Sequence, residues 1–174
     1  MEIRQISGYH GTTRVNADNI IAEQHFNESN RDNEWLGKGV YFFAYKWHAE
    51  WWTKHKRYNG KAVAVLAADL QYTDDQLLDL DDPAILESVN RIVGEAISIA
   101  KKSGKPFGNV DFSGQKYDER WNFSCNLMRA INPKLGIITY TFDPGCRPGI
   151  AGYSQNQKQI CVSDHTIIRN IRRI

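Results

Sequence analysis

Two stretches decide how this chain reads: Tyr9-His10-Gly11-Thr12 and Leu36-Gly37-Lys38-Gly39-Val40-Tyr41-Phe42-Phe43. Each reads as a strand with glycine where backbone must approach something closely, and each carries one polar ring among apolar neighbours. Strand side chains alternate between faces, so neighbouring strands let His10 and Tyr41 converge in one cleft. An imidazole, a phenol ring and exposed backbone amides together suit an aromatic, ribose-bearing ligand. A strand histidine standing alone is more often structural. The Gly-Thr that follows His10 and the Tyr41 strand tip the reading toward a site. Gly37-Lys38-Gly39 lacks the spacing and the Lys-Ser/Thr ending of a phosphate-binding loop and reads as a turn.

Outward from these stretches, Ile3 to Thr12 forms a strand, and Asn16 to Ala22 a short helix with Asn16 as its cap. Asn27 to Glu34 is polar and turn-rich, a mobile loop. The strand Gly39 to Phe43 leads into a helix from Tyr45 to Tyr58, with Trp47, Trp51 and Trp52 roughly on one face. Lys61 to Leu70 is a strand that runs into an acidic turn. Asp82-Pro83 then opens a helix whose Ile85, Leu86, Val89, Ile92, Val93, Ala96, Ile97 and Ala100 mark a buried stripe, with Gly104 to end it. A second helix spans Asp118 to Ile131, and Leu135 to Phe142 is a strand. Asp143 to Gln157 is a Gly- and Pro-rich loop, followed by strands at Gln159 to Val162 and Thr166 to Ile174. The pattern predicts one α+β domain over 1–174 with a helical insertion at about 82–133.

A chain of 174 residues, 41% hydrophobic, is enough for one core. A formal net charge of +2 supplies no general drive toward nucleic acid or anionic lipid. Cys125, Cys146 and Cys161 lie far apart without a CxxC pair, which disfavours a disulfide framework and a zinc site. His25, His48, His55 and His165 show no metal spacing, and no metal is expected. The start lacks an apolar signal core and no run approaches membrane-spanning length, so the expectation is a cytoplasmic protein without membrane contact. Lys54, His55, Lys56 and Arg57 read as a solvated helix end, with a nucleic-acid patch as the alternative.

The order YHGT, then LGKGVYFF, then a helix resembles the ADP-ribosyltransferase superfamily, in the branch shared by diphtheria toxin and the poly-ADP-ribose polymerases. That resemblance implies a split, two-sheet β core with flanking helices and NAD as substrate. It gives His10 a hydrogen bond to ribose hydroxyl on the adenosine side. Gly11, with Thr12 beside it, offers backbone to the nicotinamide carboxamide, and Tyr41 stacks on the nicotinamide ring. The family closes the other face of that ring with an aromatic eleven residues further on, and that position is Trp52. A serine that the family often places three residues before this aromatic is Ala49 here.

The third family motif departs. The segment Asn156-Gln157-Lys158-Gln159-Ile160-Cys161-Val162 fits the place where the family has a catalytic Glu opening a strand, which puts Gln159 in the catalytic slot and Gln157 two residues before it. An amide can hold a ribose hydroxyl, but it carries no charge to oppose an oxocarbenium ion and is no general base. Either the acceptor needs little activation, or another carboxylate serves, with Asp143 and Asp164 as candidates, or transfer is weak. As a small single domain, the chain resembles bacterial toxin or phage-defence transferases. This implies mono-ADP-ribosylation of a macromolecular acceptor, a nucleic-acid base (RNA or DNA) slightly ahead of a protein side chain, and a neutralising antitoxin protein. Three rivals stay open: an NAD glycohydrolase, an NAD- or ADP-ribose-binding pseudoenzyme, and an unrelated α+β interaction domain.

Overall fold

The first long strand, β1 (Arg4–Thr13), pairs along its whole length with β3 (Val63–Tyr72), from Arg4 opposite Tyr72 to Thr13 opposite Val63. This antiparallel pair is the spine of a computed structural model that describes residues 2–29, 34, 36–54, 58–103, 124–125, 127–130, 132–143 and 156–174. The remaining strands are β2 (Val40–Phe43), β4 (Leu77–Asp79), β5 (Ile137–Phe142), β6 (Gln157–Val162) and β7 (Ile168–Arg173). They form one seven-stranded sheet in the order β4-β5-β6-β2-β1-β3-β7. Every pairing is antiparallel except β4 with β5. This mixed α and β organisation accords with the expected α+β class. The expected two separate sheets are instead one sheet whose halves, β4-β5-β6-β2 and β1-β3-β7, meet at a single register pair, Tyr9 opposite Phe43. β2 itself pairs all four of its residues with β6 before the chain leaves for a helix.

Helices cover both faces. On one, α1 (Arg14–Glu23) buries Ala17 and Ile20 against Val40, Phe42, Leu66 and Leu70. On the other, α3 (Pro83–Ser103) lays Val89 with Ile85, Ile92 and Val93 over Ile138 and Cys161. Helical residues 124–125 and 127–130 add Cys125 and Met128 to that layer. The short α2 (Lys46–Trp52) packs Ala49 on Phe43 and Val65 on this second face. No helix among the described residues is long and apolar enough to cross a membrane.

Local chemistry moved several boundaries. The cap of α1 is Thr13 rather than Asn16: its hydroxyl accepts from the Asn16 amide at 3.3 Å, so the helix starts two residues before Asn16. The helix expected from Tyr45 to Tyr58 stops at Trp52, where the Thr53 hydroxyl turns back to the Glu50 carbonyl at 2.7 Å. The start of α3 holds as expected, with Asp82 Oδ1 accepting from the Ala84 amide at 2.8 Å. The acidic turn after β3 contains a 3₁₀ turn (Asp74–Gln76) and the edge strand β4, too short for a periodic signal. β6 begins at Gln157, two residues before the expected strand, and a 3₁₀ turn (His165–Ile167) precedes β7. The basic run His55 to Arg57, Gly104, residues 118–123, Cys146 and most of the Asp143–Gln157 loop lie outside the described residues.

Candidate functional site

Register decides which of the singled-out side chains share a face. Tyr9 is opposite Phe43, so Gly11 and Tyr41 lie on their side of the sheet, while His10 and Thr12 point to the other. The expected convergence of His10 and Tyr41 side chains is therefore not what the register gives. What joins them is backbone: His10 Nδ1 lies 2.8 Å from the Tyr41 carbonyl oxygen. A carbonyl only accepts, so Nδ1 carries the proton and, in the neutral ring, Nε2 carries the lone pair. Phe26 and Phe42 hold the ring edge-on, with centroids 5.2 and 6.1 Å away. Thr12 is buried on the α1 side, its hydroxyl near Asn16 Nδ2 at 3.5 Å.

The opposite face gathers the rest. On β2 and β6, Phe43 is opposite Gln159 and Tyr41 opposite Cys161. Tyr41 and Gln159 are thus diagonal neighbours, a relation that spans roughly 7–8 Å in an antiparallel pair. Gln157 follows on the same side, buried and opposite Phe142, while Tyr140 lies opposite Gln159. Trp52 packs on Phe43 from above, with ring centroids 6.1 Å apart. Gly11, Tyr41, Trp52, Gln157 and Gln159 therefore share one face, and His10 and Thr12 are behind it.

Tyr41 is pinned. Its hydroxyl donates to the Gly37 carbonyl at 2.7 Å and accepts from the Leu36 amide at 2.8 Å. Burial, reinforced by nearby Cys161 and Glu34, pushes the phenol far above its ordinary range, so it is no base at neutral pH. The GKG turn supports this arrangement: Gly37 adopts φ +79°, and a Cβ on Gly39 would meet the Val162 carbonyl at 2.6 Å. Gly11 has a structural reason of its own, since a Cβ there would meet the Ala49 carbonyl at 2.4 Å. The seat of α2 requires this glycine with or without a ligand.

Of the two substitute carboxylates, Asp164 is committed elsewhere: its Oδ1 accepts from the Thr166 amide and hydroxyl at 2.9 and 2.7 Å. Asp143 is exposed, one residue past the end of β5 and at the Gln157 end of β6. Sequence reading missed Glu34, which it assigned to a polar loop. Its carboxylate accepts from Ser29 Oγ, and its charge reaches both Tyr41 and Cys161. No periodicity marks such a residue.

His48 was also missed as a site residue. It is buried against Phe43, Tyr45 and Trp47, and among the described residues its Nδ1 has no hydrogen-bond partner. Burial holds its pKa below the ordinary value, so the ring is neutral at pH 7. Cys125 and Cys161 are buried thiols, each pushed up to about 12 chiefly by that burial, and are poor nucleophiles. Among the described residues no group of three His, Cys, Asp or Glu could hold a metal.

A cavity of about 380 Å³ lies away from this face, where the first half of β1 has lost β2 as its neighbour. Ile6, Ala44, Tyr72, Leu77 and Ile160 supply its apolar walls, and Asp79, Thr139 and Lys158 its polar end.

No family model matches the chain. No solved structure matches it either. Over 76 residues, 41% of this chain, it is 37% identical to a protein of Methanocaldococcus jannaschii described as uncharacterised. The matched stretch covers 36% of that protein's length.

Proposed function

We propose that the chain is an NAD-dependent mono-ADP-ribosyltransferase acting on a macromolecular acceptor, with the second face of the sheet as its nicotinamide side. One observation carries the reading: Tyr41, Trp52 and Gln159, drawn from three separate parts of the sequence, lie on one face around Phe43. The YHGT and LGKGVYFF motifs and the single-pair seam between the sheet halves support it. In this reading NAD binds across the seam, with nicotinamide between the Tyr41 and Trp52 rings. The bond between nicotinamide nitrogen and ribose C1′ breaks, and nicotinamide leaves with the electron pair. The acceptor then forms a new bond to C1′ and its proton passes to solvent. Gln159 holds the ribose 2′-hydroxyl and orients the ring without supplying charge.

The acceptor is a nucleic-acid base in preference to a protein side chain, and the setting is a cytoplasmic toxin or antiphage effector neutralised by an antitoxin protein. A second reading, a module that holds NAD or ADP-ribose without turnover, draws on the uncharged Gln159. Incubation with labelled NAD and separated protein, RNA and DNA from cell extract tests both. Label in one fraction, lost in Trp52→Ala, identifies the acceptor. NAD binding with no nicotinamide release favours the module. Nicotinamide and free ADP-ribose in equal yield, with no labelled macromolecule, means a glycohydrolase. No NAD binding at all removes the proposal.

A further inference from the structure

The cavity beside the seam has chemistry of its own. Past Phe43 the chain departs for α2, leaving a notch between β1 and β6 that is roofed by Ala44 and Tyr45. Ile6, Leu77 and Ile160 give it an apolar side, and Tyr45 and Tyr72 also line it. At the polar end, Lys158 Nζ is shared between Asp79 Oδ1 at 3.3 Å and Asp81 Oδ2 at 2.9 Å.

Asp81 and Lys158 are charged at neutral pH. Burial opposes ionisation of Asp81, but hydrogen bonds from Lys158 and Thr141 hold its carboxyl below the usual range. Burial likewise works against the Lys158 ammonium, and the two aspartates raise its pKa in spite of it. Two carboxylates around one ammonium leave one negative charge in excess. The Asp79 oxygens are unequally used. Oδ1 takes the Thr139 hydroxyl at 2.7 Å, the Asp81 amide at 3.2 Å and Lys158, whereas among the described residues Oδ2 has only a 3.5 Å contact with Lys158.

We infer that this cavity binds a planar organic cation on an aliphatic stem, the chemistry of an arginine side chain or a free alkyl guanidine. The excess charge and the lightly used Asp79 Oδ2 suit a guanidinium, which donates in a plane to carboxylates and stacks on aromatic rings. The tyrosine rings add a cation–π attraction, and the apolar side covers the stem. An anionic head such as a phosphate is disfavoured, because the Lys158 ammonium is already shared by two carboxylates. The inference does not depend on NAD chemistry, since the cavity is separate from the Tyr41 and Trp52 face.

The test uses the whole chain with three probes by calorimetry: agmatine, a blocked Gly-Arg-Gly tripeptide, and cytidine as an uncharged planar comparison. Agmatine is expected to saturate, to weaken at least tenfold in Asp79→Asn, and to weaken several-fold in Tyr45→Ala. Tyr45 is 65% exposed, so its replacement keeps the test available if Asp79→Asn does not fold. NAD binding is expected to be unchanged in Tyr45→Ala, which separates this result from the fate of the transferase reading. Tripeptide binding at least as tight as agmatine assigns the cation to a protein partner, and tighter agmatine assigns it to a free small molecule. Absence of agmatine saturation, cytidine binding tighter than agmatine, or agmatine binding unaffected in both variants overturns the inference.

Discussion

At the scale of single residues, Gln159 and His48 carry the sharpest expectations. If Gln159 occupies the slot of a carboxylate, Gln159→Glu restores a charge opposite the developing oxocarbenium ion. It is then expected to raise nicotinamide release from NAD by tenfold or more with little change in NAD affinity. A variant no faster than the parent chain in a nicotinamide-release assay shows that the slot has been misplaced. Gln159→Ala is expected to lower transfer while NAD still binds. His48 gives a stability prediction. Its folded pKa lies below the ordinary 6.5, so below that pH the unfolded chain takes up a proton that the folded chain refuses. Its contribution is complete above about pH 6.5 and is lost as pH falls toward the folded value. His48→Leu is expected to flatten this acid limb in urea titrations between pH 7 and 5. It also removes a buried nitrogen that is unpaired among the described residues, and so is expected to raise stability at pH 7 by up to about 1 kcal/mol. An unchanged acid limb would mean that the ring is solvated.

At the scale of elements, α2 is held by a backbone contact that no side chain can replace. A methyl group at position 11 collides with the Ala49 carbonyl, which belongs to a packed helix and cannot rotate away. Gly11→Ala is therefore expected to cost about 1–3 kcal/mol, read as a lower urea midpoint, and to tilt α2 with Trp52 on it. Loss of NAD binding in such a variant would say nothing about a Gly11–nicotinamide contact. Thr13→Ala removes the α1 cap and is expected to cost about 1 kcal/mol by the same measurement, while Asn16→Ala costs less. Sequence could place a helix after β1 because its periodic and polar residues are local signals. It could not choose between Thr13 and Asn16, since both are competent caps and β1, whose last residue is Thr13, sets the choice. The end of α2 was illegible for a similar reason: the Thr53 hydroxyl bonds the Glu50 carbonyl where α2 ends, a contact that no local pattern marks.

At the scale of the whole molecule, the seam between β1 and β2 is the structural peculiarity. One register pair and the His10–Tyr41 bond join two sheet halves that are otherwise internally well paired. His10→Ala is expected to speed amide hydrogen exchange severalfold at Tyr41 and Phe43, leaving the β1–β3 amides unchanged. Uniform change across all strands would mean that the histidine supports global stability rather than the seam. His10 then has a mechanical role that stands whether or not it also meets a ribose.

The sequence by itself determined the strand and helix identities that rest on local pattern: the α3 stripe with its Asp82 cap, the β1 and β3 strands, the GKG turn. It also determined the order in which His10, Tyr41, Trp52 and the two glutamines follow one another. Only the tertiary structure decided which faces they occupy. Side-chain direction in a sheet is fixed by pairing between strands distant in sequence, and a shift of one residue reverses it. The Tyr9–Phe43 pair sent His10 behind the sheet and brought Tyr41 beside Gln159. Burial of His48 and the charge balance around Lys158 were likewise invisible beforehand. Each depends on groups brought together by folding, not by sequence neighbourhood.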